Sequence, residues 1–343
     1  MNRKTFVQSS LAALTAAGLP ASMAYAGAQK QVDISGEIPP FLKPGDLIGI
    51  TSPAGYITRE EILPAAALMQ QWGFKIRAGY TIGKRDFTFG GTDAERLDDL
   101  QKMLDDADVK AIMCARGGYG SVRIVDGLKW DQFRQRPKWV IGFSDITVLH
   151  SHIHRNFGIA TIHSKMCNSF PDVWETADPL QKDTIESIRK ALTGEKMMYS
   201  AEAFNSVNKP GTATGILVGG NLKTLETLAG SASDIHTDGK ILFVEDTGEY
   251  MYSIDRMLWN LKRTGKLAKL AGLIVGGMKL KQDPLDEQFG KNIYDSVLEK
   301  TKEYSYPVCF DFPVGHQIDN YAYRCGTRHQ LNVTIKTATL NSL

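Results

Sequence analysis

The stretch KWVIGFSDITVLH, residues Lys138–His150, places a hydroxyl and a carboxylate on a tight corner between two apolar segments. The run Trp139–Phe143 is typical of a buried strand, and Ile146 begins an apolar spacing typical of a helix. Many hydrolases expose a serine above a sheet on such a corner, beside free amides at a helix N-terminus. The alternative is that Ser144 or Asp145 only caps the helix, since both residue types are preferred there.

Strands and helices alternate on both sides of this corner. Thr58 with Glu61 and Thr92 with Glu95 form capping boxes that predict two helix starts. The segments predicted as strands are 47–53, 74–79, 109–115, 139–143 and 159–164, with helices at 58–74, 92–107 and 121–128. Strands separated by helices predict an α/β fold with a mostly parallel sheet covered on both faces.

A second α/β unit follows a polar and irregular connection. The connection, 169–210, contains one predicted amphipathic helix at 180–192, and the second unit begins at Gly211. Its predicted strands are 240–246, 271–278 and 307–316, with helices at 251–265 and 286–302. The predicted organisation is a nucleophile domain at 40–168 and a C-terminal domain at 211–343.

Composition and charge limit the possible functions. The chain has 343 residues, of which 43% are hydrophobic and 23% charged, which is typical of a globular protein with room for two domains. Forty basic and 38 acidic residues leave a net charge of +2, so there is no electrostatic argument for a nucleic-acid partner. The four cysteines lack CxxC spacing and are expected to be small core residues.

The N-terminus has the pattern of an export signal. Arg3 and Lys4 precede an uncharged stretch that ends in the small-x-small sequence Ala24–Ala26. A membrane-spanning helix is the alternative, but polar residues and Pro20 dilute the apolar character. We therefore expect residues 1–26 to be a cleaved signal peptide, which predicts an exported, periplasmic protein without stable membrane insertion.

Three residues that could act together follow predicted strands. Ligands of open α/β sheets gather at the carboxyl ends of strands, where Ser144, Glu245 and His316 lie. A nucleophilic serine needs a neutral imidazole to take its proton, and the imidazole needs a carboxylate to orient it. Asp246 and Glu249 compete with Glu245 for the acid's role. Spacing alone does not choose among the three acids, and a lone strand-end histidine is often structural.

The glycine-rich loop RGGYG, Arg116–Gly120, also follows a predicted strand. Glycines let the backbone approach a ligand closely, and a developing oxyanion needs two fixed donors near the nucleophile. The backbone amides of Gly118 and Asp145 are the candidates. The alternative is an ordinary glycine turn, and no Gly-Lys-Ser/Thr follows that would indicate a phosphate loop.

A histidine cluster in LHSHIHRNFG suggests a metal site. His150 and His154 are four residues apart and share a helix face, which is compatible with zinc, and His152 lies between them. No third ligand and no HExxH motif are recognisable, so we expect neither a metal nor any other cofactor.

Several ordered motifs resemble the LD-carboxypeptidase family of serine peptidases, which includes the microcin-immunity-type peptidases. The similarity runs from about residue 43 to about residue 332. It is carried by KPGDLIGITSPAG, RGGYGSVRIVDGLKWD, IGFSDITVLH, GGNLKTLETLAG, ILFVEDTGEYMYSIDRML and FPVGH.

The resemblance implies a two-domain serine enzyme. Its N-terminal lobe would be a class I glutamine-amidotransferase-like sheet carrying the nucleophile Ser144, and the C-terminal lobe would carry Glu245 and His316. Members of the family release D-alanine from peptidoglycan tetrapeptides by cleaving after the L-centre of a diamino acid. They need no metal, and the resemblance favours a homodimer.

The chain departs from the family pattern in SPAG, TIHSKMCNSF and NYAYRCGTR. These departures leave the three proposed catalytic residues unchanged but put the leaving group and the recognised side chain in doubt. An exopeptidase must also bind a substrate carboxylate, for which a guanidinium is suited. Arg116, Arg324 and Arg328 are the candidates.

The predicted function is therefore a carboxypeptidase that acts on murein peptides. One alternative keeps the same residues but cleaves the amide of a peptide–nucleotide antibiotic. A second alternative is a non-enzymatic solute-binding protein that closes on its ligand, which leaves the three strand-end residues unexplained. An ordinary α/β-hydrolase esterase is disfavoured because no GxSxG motif is present.

Overall fold

The structure is a computed structural model that describes residues 36–202 and 207–343. The predicted signal peptide, residues 1–26, lies outside the described residues. Within the described part of the chain, no helix has both the length and the apolar character needed to cross a bilayer.

The first sheet has six strands, and it carries the predicted corner near its middle. The spatial order is β11-β5-β4-β3-β1-β2, and all neighbours are parallel except β11, which is antiparallel to β5. The bounds are β1 Leu47–Thr51, β2 Lys75–Ala78, β3 Val109–Cys114, β4 Trp139–Gly142, β5 Thr161–His163 and β11 Tyr323–Cys325. The strand β11 comes from the predicted C-terminal domain, which the sequence analysis did not foresee.

Helices connect these strands as predicted, with shorter bounds. Thr92 and Glu95 form the expected capping box, and the bonds of the Thr58–Glu61 box are also present. The predicted helix 58–74 starts as a 3-10 turn, Glu60–Ile62. The α-helices of this half are α1 Leu63–Gln71, α2 Asp93–Asp105, α3 Ser121–Ile124, α4 Asp131–Gln135 and α5 Thr147–Phe157.

The second sheet has seven strands and combines a parallel and an antiparallel half. In the order β10-β9-β8-β7-β12-β13-β6, the first four strands are parallel and the remaining pairs antiparallel. The bounds are β6 Met198–Glu202, β7 Gly211–Asn221, β8 Ile241–Glu249, β9 Gly272–Leu280, β10 Val308–Cys309, β12 Arg328–Val333 and β13 Thr337–Ser342. Its helices are α6 Pro179–Thr193, α7 Leu222–Thr227, α8 Met251–Arg263 and α9 Ile293–Thr301.

Two predicted elements of the second half are longer than the observed ones. The predicted helix 286–302 begins only at Ile293. Within the predicted strand 307–316 only Val308–Cys309 forms a regular strand, and after Asp311, whose φ is 56°, the chain returns to β9 through an isolated bridge between Gly315 and Gly277. The α/β fold class is confirmed, with a mostly parallel first sheet and a mixed second sheet.

The carboxyl ends of the two sheets meet at Thr147. The amide of Asn221, the last residue of β7, donates a 3.1 Å hydrogen bond to the Thr147 hydroxyl at the start of α5. This contact brings the end of β8 next to the turn after β4. The expectation that the cysteines are core residues is also confirmed, since all four are buried and none is disulfide-bonded: Cys114, Cys167, Cys309 and Cys325.

Candidate active site

Ser144 occupies a strained position on the turn after β4. Its φ is 63°, in the left-handed region that non-glycine residues rarely adopt, and such strain is concentrated at functional sites. Neither Ser144 nor Asp145 makes a side-chain cap to the 3-10 helix Ser144–Ile146 or to α5. The alternative that these two residues only cap the helix is therefore wrong.

The side chains of Ser144, His316 and Glu245 form a chain of hydrogen bonds. The distances are 2.6 Å from His316 Nδ1 to Glu245 Oε2 and 3.2 Å from His316 Nε2 to Ser144 Oγ. Because a carboxylate only accepts hydrogen bonds, Nδ1 carries the proton of the neutral ring and donates to Glu245. The unprotonated Nε2 then accepts the hydroxyl proton of Ser144, the arrangement that a serine nucleophile and its base require.

The structure separates Glu245 from the two competing acids. Glu245 is fully buried and faces His316. Asp246 points to the other face of β8, where its carboxyl group accepts hydrogen bonds from the backbone amides of Lys223 and Thr247. Burial raises the pKa of this carboxyl group to about 6. Glu249 accepts the hydroxyl of Ser253. Only Glu245 orients the histidine.

A buried amide holds the loop that carries His316. Asn320 Oδ1 accepts hydrogen bonds from the amide of Gly315 at 2.8 Å and from Nε2 of His163 at 3.1 Å. Gly315 has a φ of 111°, and a Cβ there would lie 2.5 Å from the Cβ of Glu245, so glycine is required. Neither Asn320 nor His163 was predicted from the sequence to be part of the site. Both lie in the segments that depart from the family pattern, and this was the available signal.

The glycine loop lies directly against Ser144. A Cβ on Gly117 would be only 3.1 Å from the Cβ of Ser144, so glycine is what permits this approach. The amide of Gly118 donates no hydrogen bond to another described residue. Asp145 is the second residue of a helical turn, so its amide has no partner within that turn. Both amides remain available as oxyanion donors.

Two buried side chains fix the position of the glycine loop. The carboxylate of Asp145 accepts the amide of Ser121 at 2.8 Å, immediately after the loop. The guanidinium of Arg96, which is fully buried, donates to the carbonyl of Gly120 at 3.0 Å and to that of Pro53. Burial raises the pKa of Asp145. The sequence analysis missed Arg96, because a helix arginine gives no sign of burial.

Only one of the three candidate arginines lies near the site. Arg116 adjoins Gly117 and donates to the carbonyl of Tyr56 at 3.1 Å. Arg324 is instead buried at the C-terminus of α6, where its guanidinium donates to three carbonyls: those of Lys190, Ala191 and Glu195. The structure therefore assigns Arg324 to the helix end rather than to substrate.

Arg328 is exposed and lies toward the opposite end of the second sheet. It pairs with Ile216, five residues before Asn221, which pairs with Glu245. At about 3.3 Å per residue this places its backbone roughly 16 Å from Glu245 along the strand direction. Arg328 is thus not brought to the site either.

The three helix histidines contact protein groups and do not converge. His150 Nε2 lies 2.8 Å from the carbonyl of Gly142, and burial lowers its pKa to about 4. The ring of His152 lies 2.8 Å from the Ser233 hydroxyl, and that of His154 lies 3.0 Å from the Lys240 ammonium. Within the described residues, no group of three or more His, Cys, Asp or Glu side chains could hold a metal ion.

Comparison with known proteins places the chain in a family. Residues 48–164 match the LD-carboxypeptidase N-terminal domain, and residues 214–331 match the LD-carboxypeptidase C-terminal domain. The chain is 33% identical to the probable murein peptide carboxypeptidase of Bacillus subtilis over 89% of its length and 94% of that protein. It is 29% identical to the microcin C7 self-immunity protein MccF of Escherichia coli, over 69% of this chain and 76% of that protein.

A solved structure has the same fold. The muramoyltetrapeptide carboxypeptidase from Oxalobacter formigenes superposes with a TM-score of 0.75 and 25% identity, covering 86% of this chain and 98% of that chain. Both family domains and most of the described residues are thus matched in order. On these matches, the protein belongs to the LD-carboxypeptidase family of peptidases.

Proposed function

We propose that this protein is a serine carboxypeptidase that releases terminal D-alanine from murein tetrapeptides. The observation that carries the proposal is the hydrogen-bond chain from Ser144 through His316 to the buried Glu245, on a strained turn beside free amides. The names of the Bacillus and Oxalobacter relatives support a murein peptide as the substrate class.

The geometry supports a two-step acyl transfer. Ser144 Oγ attacks the carbonyl carbon before D-alanine while His316 Nε2 takes its proton, and Glu245 stabilises the imidazolium. The amides of Gly118 and Asp145 hold the oxyanion. The C–N bond then breaks and His316 gives its proton to the departing amine. Water, deprotonated by His316, hydrolyses the acyl-enzyme and restores Ser144.

The biological setting follows from the N-terminal sequence and from the family. We propose an exported, periplasmic enzyme that acts as a homodimer after removal of residues 1–26. We also propose 40–168 as the nucleophile domain and 211–343 as the domain of the acid and the histidine, with Tyr323–Cys325 contributed to the first sheet.

Mass spectrometry of a defined tetrapeptide tests the proposal. The mature protein and the Ser144→Ala variant would each be incubated with a tetrapeptide that contains diaminopimelate and ends in D-alanine. Loss of one alanine with the parent protein, absent with the variant, is the expected result. No product from the parent, while a control peptidase cleaves the peptide, would overturn the murein assignment.

A second candidate is the hydrolysis of a peptide–nucleotide amide. The similarity to MccF favours it, since that relative's name concerns self-immunity to microcin C7. The two candidates share the proposed catalytic residues and differ in the leaving group. Comparing kcat/KM for the tetrapeptide and for an aminoacyl nucleotide amide separates them.

A further inference from the structure

A partly buried lysine, Lys165, lies close to the histidine of the proposed active site. It follows β5, and its ammonium donates to the backbone carbonyl of Gln317, the residue after His316. The same ammonium is 5.7 Å from the ring centre of Phe143, whose ring lies 4.8 Å from that of His316. Lys165 therefore contacts the loop of the proposed general base and the aromatic ring that packs on it.

The charge of Lys165 has no anionic partner among the described residues. An ammonium has three donors, and the structure gives one of them a partner, the carbonyl of Gln317. No carboxylate of the described chain forms an ion pair with it, although Asp319 and Glu245 lie near enough to attract it. Burial lowers the pKa of Lys165 to about 8. A buried charge of this kind is costly unless something pairs with it.

The order of strands defines which part of the substrate Lys165 faces. Ser144 follows β4, which lies between β3 and β5. The glycine loop with the proposed oxyanion donor Gly118 follows β3, so the oxyanion lies on that side. Lys165 follows β5, on the opposite side, together with the loop of His316.

The departing nitrogen must lie near His316, because the histidine protonates it. In a terminal D-alanine, the carboxylate is separated from this nitrogen by a single carbon atom. In the bound substrate the carboxylate therefore lies on the same side of the active site as the nitrogen. Lys165 places an ammonium on that side, and no carboxylate of the described residues forms an ion pair with it.

We infer that Lys165 binds the terminal carboxylate of the substrate and so determines that the enzyme removes a C-terminal residue. This inference rests on the proposed carboxypeptidase function and adds the subsite for the leaving group. Two free donors of the ammonium match the two oxygens of a carboxylate, and the shielded position strengthens the pairing.

A purely structural role for Lys165 makes a different prediction. The bond to the Gln317 carbonyl could serve only to hold the loop that carries His316. Removal of the ammonium would then slow the cleavage of every substrate to the same extent. A carboxylate-binding role affects only substrates that have the terminal charge.

The test compares two peptides with two lysine variants. The peptides are the diaminopimelate tetrapeptide with a free terminal D-alanine and the same peptide ending in D-alaninamide. For Lys165→Met we expect kcat/KM on the free acid to fall about 100-fold, mainly through KM, and kcat/KM on the amide to change about threefold or less. Lys165→Arg retains the charge and should retain most of the preference for the acid.

Lys279→Met is the matched control, because Lys279 is an exposed lysine whose charge also acts on Lys165. We expect it to change kcat/KM on both peptides about threefold or less. An equal loss on acid and amide in Lys165→Met would overturn the inference while leaving the proposed function intact. A parent enzyme inactive on both peptides would instead overturn the proposed function, and the assignment of Lys165 with it.

Discussion

The carboxylate of Asp145 accepts a 2.8 Å hydrogen bond from the backbone amide of Ser121. This bond joins the turn of the proposed nucleophile, Ser144, to the glycine loop that contains Gly118. One buried side chain therefore sets the spacing between the two proposed oxyanion donors and the attacking hydroxyl.

Replacement of Asp145 by alanine should impair catalysis more than substrate binding. Without the bond to Ser121 the glycine loop is free to shift, and loss of one aligned oxyanion donor typically lowers kcat about 100-fold. Asp145→Asn is the matched control, since its Oδ1 can still accept the amide of Ser121. Steady-state kinetics on the tetrapeptide would measure both. Equal losses in the two variants would contradict a role for this hydrogen bond.

Replacement of Asn320 by alanine should lower both stability and kcat. The change leaves the amide of Gly315 and the ring of His163 without an acceptor in a buried site, which costs about 2 kcal/mol of unfolding free energy. Because Gly315 precedes His316, we also expect kcat to fall with little change in KM. Urea denaturation and steady-state kinetics measure the two effects. An unchanged kcat would show that Gly315 is held without this bond.

Replacement of Arg324 should lower the free energy of unfolding more than replacement of Arg328, and neither replacement should change kcat/KM. Arg324→Met removes the donors to three carbonyls at the end of α6, and we expect a loss of about 2 kcal/mol in unfolding free energy. The exposed Arg328→Met should change it by about 0.5 kcal/mol or less. Neither variant should alter kcat/KM for the folded enzyme. A rise in KM with Arg324→Met but not with Arg328→Met would indicate that Arg324 binds substrate.

Deprotonation of Lys165 should make the pH profile of kcat/KM decline on the alkaline side. Its pKa is lowered to about 8, first by burial and then by Lys279, whereas Asp319 and Glu245 act in the opposite direction. His163, which also faces it, is fully buried, and its pKa lies well below the usual range. The ammonium is thus present below pH 8 and is lost above it, so kcat/KM for free-acid peptides should fall above pH 8.

Variants of Lys165 and Lys279 test which group causes this alkaline decline in kcat/KM, called the alkaline limb below. It should be absent in Lys165→Arg, whose guanidinium stays charged, and should move to higher pH in Lys279→Met. The limb should appear in kcat/KM and be weaker in kcat, because a bound carboxylate keeps the ammonium protonated. A limb that persists unchanged in Lys165→Arg belongs to another group.

Local patterns were sufficient for most of the fold. The capping boxes at Thr58 and Thr92, the apolar runs and the strand–helix alternation predicted the parallel sheets, since these signals act over a few residues. The placement of Tyr323–Cys325 in the first sheet was not predictable. Strand pairing across more than 150 residues depends on which sheet edge is open, and no local pattern records this.

The residue types of the proposed active site were also predictable from the sequence. Ser144, Glu245 and His316 each follow a buried segment, and family motifs identify them. The sequence did not distinguish Glu245 from Asp246 by spacing. The choice depends on which face of β8 meets the histidine loop, which is a property of the packed sheets.

The sequence by itself therefore determined the fold class, most elements of the first sheet and the chemical types of the proposed site. Only the tertiary structure decided that Arg324 donates to the carbonyls at a helix end, that Asn320 holds the histidine loop, and that the ammonium of Lys165 has no carboxylate partner among the described residues. Charge and hydrogen-bonding capacity are properties of a residue. Whether that capacity is used internally or left for a ligand depends on which distant backbone groups the folded chain brings within 3 Å or so of it.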